Sequence, residues 1–335
     1  MRYVFIFTDW KIQYKIDLYI KILLYIIYNM GCSFSNVVSN TCCYSPTKDV
    51  IVHGVKYNVA FKLPNGVQYL DFEKNELVLK EDVNNWIYSV YKDKKFTNYI
   101  NYNDEHKDKI SSHGGHCKGC IAWNDTEVCW LIHSVPKFMI VFEDGSIDTT
   151  KTMIAHGEQI YGQSFIFVSH ISINELENIL YQISVMHPFI DTDYSSTSLS
   201  DDIKHNSYTI KNRTIIFSEQ IRHVAKSPAN TVDIFSEIIQ KTYGGKWRCE
   251  TWIRGRNCEE TPNVVDNHNI NFQNVSYTST QDHSKYAVSN KNVVYIGDLN
   301  RMTSQFHRGG GGFILHDEKL AAVIRSIMDK EEMVG

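Results

Sequence analysis

Two triplets in this chain place an imidazole and an ammonium two residues apart. One is His116-Cys117-Lys118, inside Gly114-Gly115-His116-Cys117-Lys118-Gly119, and the other is His283-Ser284-Lys285, after Asp282. In extended backbone, residues two apart project from the same face, so each triplet presents its pair to one ligand. Imidazole can attack phosphorus or move a proton near neutral pH, and an ammonium can neutralise a non-bridging phosphate oxygen. Two such couples meeting at one phosphate would supply a nucleophile, an acid and two charge clamps. A lone His-x-Lys carries little weight, because chance produces it often.

The elements around the triplets add to the signal. His133, in Trp130-Leu131-Ile132-His133-Ser134-Val135, lies seventeen residues after His116, and Asn300, in Tyr295-Ile296-Gly297-Asp298-Leu299-Asn300, lies seventeen after His283. Both intervals run from His-x-Lys through a polar turn and an apolar, strand-like run to a polar side chain. The separation is too long for a solenoid repeat, and it suggests two related halves. In a chain with 14 His, spacing alone leaves coincidence open.

Composition narrows the class. A chain of 335 residues can bury a full core as one large domain or two fused halves. A hydrophobic content of 43% with 13% aromatics fits a globular protein rich in strand formers. A net charge of −4 excludes binding a polyanion by bulk charge, so any such ligand needs a local basic site. Acid conditions would add positive charge through the histidines. The eight cysteines do not settle the redox compartment, and Asn124, Asn212 and Asn274 head sequons that matter only on a secreted chain.

Taken in order, residues 1–40 read as a signal peptide or N-terminal anchor, with an uncharged run from Ile22 to Tyr28 too short to span a bilayer. Met30-Gly31-Cys32-Ser33-Phe34-Ser35 would fit a myristoylation signal only if translation began at Met30. The first half, 41–190, carries the first triplet; 191–207, rich in Ser, Thr and Asp, reads as a linker; the second half, 208–335, carries the second triplet. Val55–Leu63 and Val67–Phe72 predict a hairpin around Pro64-Asn65-Gly66, Asp82–Tyr91 a helix, and Asn98–Ser112 a surface loop. Strands are expected at 121–123, 129–135, 138–142, 163–168, 209–217, 250–253, 275–278 and 293–296. Ser172-Ile173-Asn174-Glu175 opens a helix to about Met186, Asn230–Asp233 caps another ending at Gly244-Gly245, and a last helix runs from Asp317 to about Lys330. The fold class is α+β or α/β with mixed sheets flanked by helices.

Other chemistries fit less well. His113, His116, Cys117 and Cys120 have zinc-like spacing, but no second ligand pair matches, since Cys249 and Cys258 stand too far apart. Cys117-Lys118-Gly119-Cys120 lacks a redox-fold context, and no nucleophile-elbow glycine pattern is present. The run Arg308-Gly309-Gly310-Gly311-Gly312 reads either as a backbone nest for phosphate or as a flexible turn.

With these residues in view, the chain resembles the deoxyribonuclease II family, the acid deoxyribonucleases, whose fold is related to the phospholipase D superfamily. The matching pieces are the two triplets, Trp130 to Phe138, Tyr161-Gly162-Gln163-Ser164-Phe165, Gly297-Asp298-Leu299-Asn300-Arg301 and Arg308 to Gly311. Thr41-Cys42-Cys43-Tyr44 and Phe61-Lys62-Leu63-Pro64 fit its beginning, and all fall in family order from about 41 to 316. The resemblance implies a phospholipase D-like fold of two pseudo-repeated halves with one shared active site. It implies an acid endonuclease that needs no metal or cofactor and cuts DNA to 3′-phosphate and 5′-hydroxyl ends. It assigns catalysis to His116, Lys118, His283 and Lys285, with His133 and Asn300 orienting the phosphate and a phosphohistidine as intermediate. Ser134, Gln163, Arg301 and Arg308 are further phosphate-binding candidates. The partner implied is DNA, with a homodimer among the possible assemblies and membrane contact only if the leader is retained. A lysosomal or secretory location follows from the family.

The departures bear on that location. Family cysteines are replaced by Phe167, Tyr295 and Leu315, which suggests folding without those disulfides. Cys117 stands in place of a small polar residue and should point away from the site, and Tyr286 stands where the family tends to have Trp. Two other functions compete: a catalytically silent nucleic-acid-binding relative, and a phospholipase D-like phosphodiesterase on another substrate. Against the latter, Trp123 and Asn290 occupy the places of the usual Asp seven residues after each His.

Overall fold

The structure, a computed structural model, describes residues 54–91, 96–106, 109–110, 114–138, 142–143, 146–147, 154–194, 210–252 and 260–329. The leader at 1–40, the expected start near Thr41, His113, Cys258 and most of the 191–207 linker lie outside the described residues.

Fifteen strands build two large sheets. The first holds β1 (Lys56–Lys62), β2 (Tyr69–Glu73), β3 (Glu76–Lys80), β4 (Asn98–Asn103), β5 (Gly119–Trp123), β6 (Glu127–His133), β7 (Gln163–Ser172) and β8 (Phe189–Tyr194). Its order is β8-β4-β5-β6-β7-β1-β2-β3, antiparallel throughout. The second holds β9 (Asn212–Ile216), β10 (Ile221–Lys226), β11 (Trp247–Thr251), β12 (Val264–Asp266), β13 (Lys285–Ser289), β14 (Val293–Gly297) and β15 (Gly310–His316). Its order is β9-β10-β15-β14-β13-β11-β12, and only β11 and β12 pair in parallel. The protein is therefore α+β, and the α/β alternative gives way. Short hairpins close β1-β2, β2-β3, β5-β6, β9-β10 and β13-β14.

Period-two patterning explains why each strand sits where it does. On β6, Val128, Trp130 and Ile132 enter the large core between the sheets, while Cys129 and Leu131 face the core under helix α1 (Val83–Tyr91). On β14, Val294 and Ile296 face the same inter-sheet core, and Val293 and Tyr295 face a third core under Phe235–Tyr243. Helices α2 (Leu176–Met186) and α4 (Glu318–Ile327) contribute Ile179, Ile183, Leu320 and Ile324 to the central core. Asp317 Oδ1 caps α4 by accepting from the Leu320 amide, whereas Ser172 Oγ accepts from the Asn174 amide and so caps a 3-10 turn, Ile173–Glu175, that leads into α2 in place of the expected capping box. The helical stretch 235–243 opens as a π-turn, includes α3 (Gln240–Tyr243) and stops where Gly244 and Gly245 take φ of 66° and 76°.

Several expectations are corrected. Asn98–Asn103 is a strand inside the sheet, not part of a surface loop. Ile100 and Tyr102 share the face turned to the inter-sheet core and Tyr99 faces the core under α1, with Asn101 and Asn103 buried beside them. Residues 191–194 end strand β8 and so do not belong to a linker. Of the strand expected at 138–142, residues 139–141 lie outside the described residues; Phe138 is not in a strand, and Phe142 belongs to the short strand Phe142–Glu143. The glycine run is neither nest nor flexible turn: Gly310–Gly312 begin β15 and are buried. A Cβ on Gly311 would lie 2.3 Å from the Val224 carbonyl, so close strand packing explains that glycine. Phe167, Tyr295 and Leu315, the replaced cysteines, are core residues.

Candidate active site

Strand registers bring the candidate residues to one end of both sheets. Gly119 pairs with Ile132, Phe165 with His133 and Lys62 with Gln163 in the first sheet. In the second, Thr251 pairs with Lys285, Gly297 with Gly312 and Lys226 with Gly310. Each triplet enters its strand here, and each is fastened to the other sheet. The His116 amide donates to the Gly309 carbonyl at 2.7 Å, just before β15; the His283 amide donates to the Gly162 carbonyl at 2.8 Å, just before β7. The Lys118 amide donates to Asp298 Oδ1 at 3.1 Å, and the Lys285 amide to Ser164 Oγ at 3.2 Å. Cys117, between His116 and Lys118, turns into the inter-sheet core, while Cys120 faces the core under α1, so the two thiols do not form a pair.

The two imidazoles have different surroundings. His116 Nδ1 lies 2.7 Å from the Asp298 carbonyl oxygen and its Nε2 lies 3.4 Å from Asp104 Oδ2. Both ring nitrogens thus face acceptors, a setting that suits two N–H donors. Asp104 also meets Lys118 Nζ at 2.7 Å. His283 Nδ1 lies 3.5 Å from Glu158 Oε2, but its Nε2 is buried with no partner. Its ring is stacked on Tyr161 at 3.9 Å and 13°, with Trp252 tilted against it at 4.1 Å. A carboxylate on Nδ1 fixes that N–H, leaving a lone pair on Nε2.

Burial and mutual repulsion set the titrations. Burial, then the charge of Lys118 and further those of Lys285 and Arg308, push the His116 imidazole well below 6.5, with Asp104 opposing. Lys285 reaches His116 electrostatically, so both couples share one field. Burial pushes His283 down to about 4 against the pull of Glu158, and pushes His133 down to about 3 with help from Lys118. Lys285 is lowered to about 7 by burial and by Lys118. Burial alone would raise the Asp104 carboxyl, but Lys118 and His116 outweigh it and hold the group below the ordinary range. Asp298, fully buried, is raised well above it.

The remaining candidates fall into two groups. His133 Nδ1 and Asn300 Oδ1 are buried without partners at the same strand ends, as groups awaiting a ligand would be. Ser134, Gln163, Arg301 and Arg308 are engaged by the protein. Ser134 Oγ donates to Gln163 Oε1 at 2.6 Å and accepts from the Ser164 amide. Arg301 is enclosed between Asp233 and Asp266, contrary to its assignment to phosphate, because its sequence position cannot reveal two distant carboxylates. Arg308 donates to the Gly114 and Gly115 carbonyls and so holds the first triplet's approach. Sequence reasoning missed Asp104, Glu158, Trp252 and the role of Asp298. Asp298 lay within the quoted Gly297–Arg301 piece, whereas Asp104 and Glu158 sat in polar stretches with no distinguishing spacing. Among the described residues no cluster of three or more His, Cys, Asp or Glu side chains is placed to hold a metal ion.

The sequence model of the family described as Deoxyribonuclease II matches residues 53–333. Deoxyribonuclease-2-beta of Mus musculus is 30% identical over 256 residues, 67% of this chain and 68% of that protein. Deoxyribonuclease-2-beta of Homo sapiens is 30% identical over 251 residues, 67% and 68% of the two chains, and Cell-death-related nuclease 7 of Caenorhabditis elegans is 25% identical over 324, 83% and 85%. Together with the paired imidazoles and ammoniums, these matches define a nuclease of the hydrolase class. The chain belongs to the deoxyribonuclease II family and is a deoxyribonuclease enzyme. The reading as a catalytically silent relative gives way to it.

Proposed function

We propose that this protein is a metal-independent acid endonuclease that cleaves DNA to 3′-phosphate and 5′-hydroxyl ends through a phosphohistidine on His283. The observation that carries the reading is the reciprocal fastening of the triplets, His116 to Gly309 and His283 to Gly162, which directs both couples into one site. It also supports a phospholipase D-like arrangement of two related halves, 41–190 and 208–335. Five strands follow one another in equivalent order in the two sheets: β4-β5-β6-β7-β1 and β11-β13-β14-β15-β10.

In the first step the Nε2 lone pair of His283 forms the N–P bond as the P–O5′ bond breaks, and His116 Nε2–H gives its proton to O5′. In the second, water adds to phosphorus, the N–P bond breaks, and His116 takes the water proton. Lys118 and Lys285 hold the non-bridging oxygens, where many nucleases use a divalent cation. His133 and Asn300 orient the same phosphate. The incoming anion among Lys118, Lys285 and Arg308 raises the proton affinity of His116, restoring the acid that the empty site disfavours.

The depressed values support a working range on the acid side. Protonation of His283 near pH 4 removes the nucleophile, deprotonation of His116, held well below 6.5, removes the acid, and deprotonation of Lys285 near pH 7 removes a clamp. An acidic lysosomal or secretory compartment fits that range. Digestion of DNA from pH 4 to 8 in EDTA, with end-group analysis, tests the reading. Activity at acid pH with 3′-phosphate ends is expected, and His116→Ala and His283→Ala should abolish it in folded protein. Chelator-sensitive cutting that leaves 5′-phosphates would sink it.

A further inference from the structure

Two lysines that the mechanism does not use are buried in matching cages. Lys62, the last residue of β1, is 0% exposed, and Lys226, the last residue of β10, is 1% exposed. Lys62 Nζ donates to the carbonyls of Leu63, Gly66 and Gln159 at 2.8, 2.8 and 2.9 Å. Lys226 Nζ donates to those of Ser227, Asn230 and Phe306 at 3.4, 2.8 and 2.9 Å, and to Arg308 at 2.7 Å. Three carbonyls of each cage correspond, and the Arg308 carbonyl is a fourth acceptor at Lys226 alone. Each lysine binds the next residue, the residue four positions on, and the residue three before a glycine, Gly162 or Gly309. Those two glycines are the acceptors that fasten His283 and His116.

A bare ammonium in a buried site costs several kcal/mol unless its donors are satisfied, so carbonyl cages of this kind hold their loops firmly. The loop that Lys62 grips carries Glu158 and Tyr161, which contact the His283 ring. The loop that Lys226 grips carries Arg308, which fixes Gly114 and Gly115 ahead of His116.

We propose that Lys62 and Lys226 are paired positioning residues, Lys62 setting the nucleophile His283 and Lys226 setting the acid His116. This rests on the proposed division of labour between the histidines, and it makes the two lysines differ in effect although their cages match. The test compares Lys62→Met and Lys226→Met, checked for folding by circular dichroism, on two substrates. One is an oligodeoxynucleotide; the other is thymidine 3′-(p-nitrophenyl phosphate), whose leaving group departs without protonation. Lys226→Met is expected to lower kcat on the oligonucleotide by about 10²-fold, within the range for a lost general acid, and to spare the first-turnover release of nitrophenol from the ester, the one step in which His116 is not needed. Lys62→Met is expected to slow both substrates alike and to move the acid limb of its pH profile downward, as Glu158 releases His283.

Equal patterns in the two variants, or wild-type kinetics in folded protein, would overturn the proposal. Should a Met variant fail to fold, Lys→Gln at that position, which keeps part of the donor set, takes the same assay under the same criteria. Failure of the underlying mechanism would show separately, as activity surviving in His116→Ala or His283→Ala.

Discussion

At the residue scale, two carboxylates act on the two histidines in opposite kinetic senses. Glu158 raises the proton affinity of His283, so Glu158→Gln lowers it further and the acid limb of kcat/KM, near pH 4, should move to lower pH. Asp104 raises that of His116, so Asp104→Asn should bring the alkaline limb down. The first variant widens the working range and the second narrows it, and pH–rate profiles of the pair check this directly. Asp104→Asn should also lower kcat by about 10²-fold or more, because His116 and Lys118 both lose their anion. The candidate side chains of this site stand out in sequence because His-x-Lys has a fixed spacing and recurs. Their carboxylate partners do not, because Asp104 and Glu158 reach the histidines through tertiary contacts that leave no local pattern.

At the element scale, the strand ends do the positioning, and glycines let them approach. A Cβ on Gly309 would lie 2.1 Å from the Met186 carbonyl, and one on Gly162 2.5 Å from Asp282 Oδ1. Overpacking of this kind costs about 1–3 kcal/mol, and here the displaced backbone is also the acceptor that fastens a histidine. Gly309→Ala is therefore expected to reduce DNA cleavage more than tenfold while lowering the melting temperature only modestly. Parallel thermal and kinetic measurements separate the two effects. Hairpins, caps and helix stops were readable at this scale, since Pro64-Asn65-Gly66, Asp317 and Gly244-Gly245 each act locally. The strand Asn98–Asn103 was not, because its Asn side chains mark a loop until neighbouring strands pair its backbone. The Arg308 glycine run was misread for a related reason: glycine signals freedom in sequence, but here it signals crowding.

At the scale of the whole molecule, the core between the sheets contains histidine as well as hydrocarbon. His223 is fully buried, stacked on Trp130 at 4.2 Å, with Nδ1 against the Gln182 amide and Nε2 without a partner. Burial depresses it below 6.5, as it does His116, His133 and His283. Below about pH 6.5 the unfolded chain therefore takes up protons that the fold refuses, and stability falls as pH falls toward each folded value. The melting temperature is expected to drop by several degrees between pH 7 and 4.5, at about 2–4 °C per kcal/mol for a protein of 150–250 residues or somewhat less for this longer one. His223→Phe should flatten that slope, as scanning fluorimetry across the range would show. In the proposed acid range the enzyme works where its own fold is under proton pressure, and bound phosphate, which favours charged histidines in the site, would relieve part of it.

Because His116 hangs from Gly309 and His283 from Gly162, neither sheet by itself owns a finished reaction centre. A chain severed between Tyr194 and Ile210 should yield two inert fragments, and mixing them should restore nicking at a rate first order in each. A single fragment that cuts DNA unaided would mean that one triplet suffices.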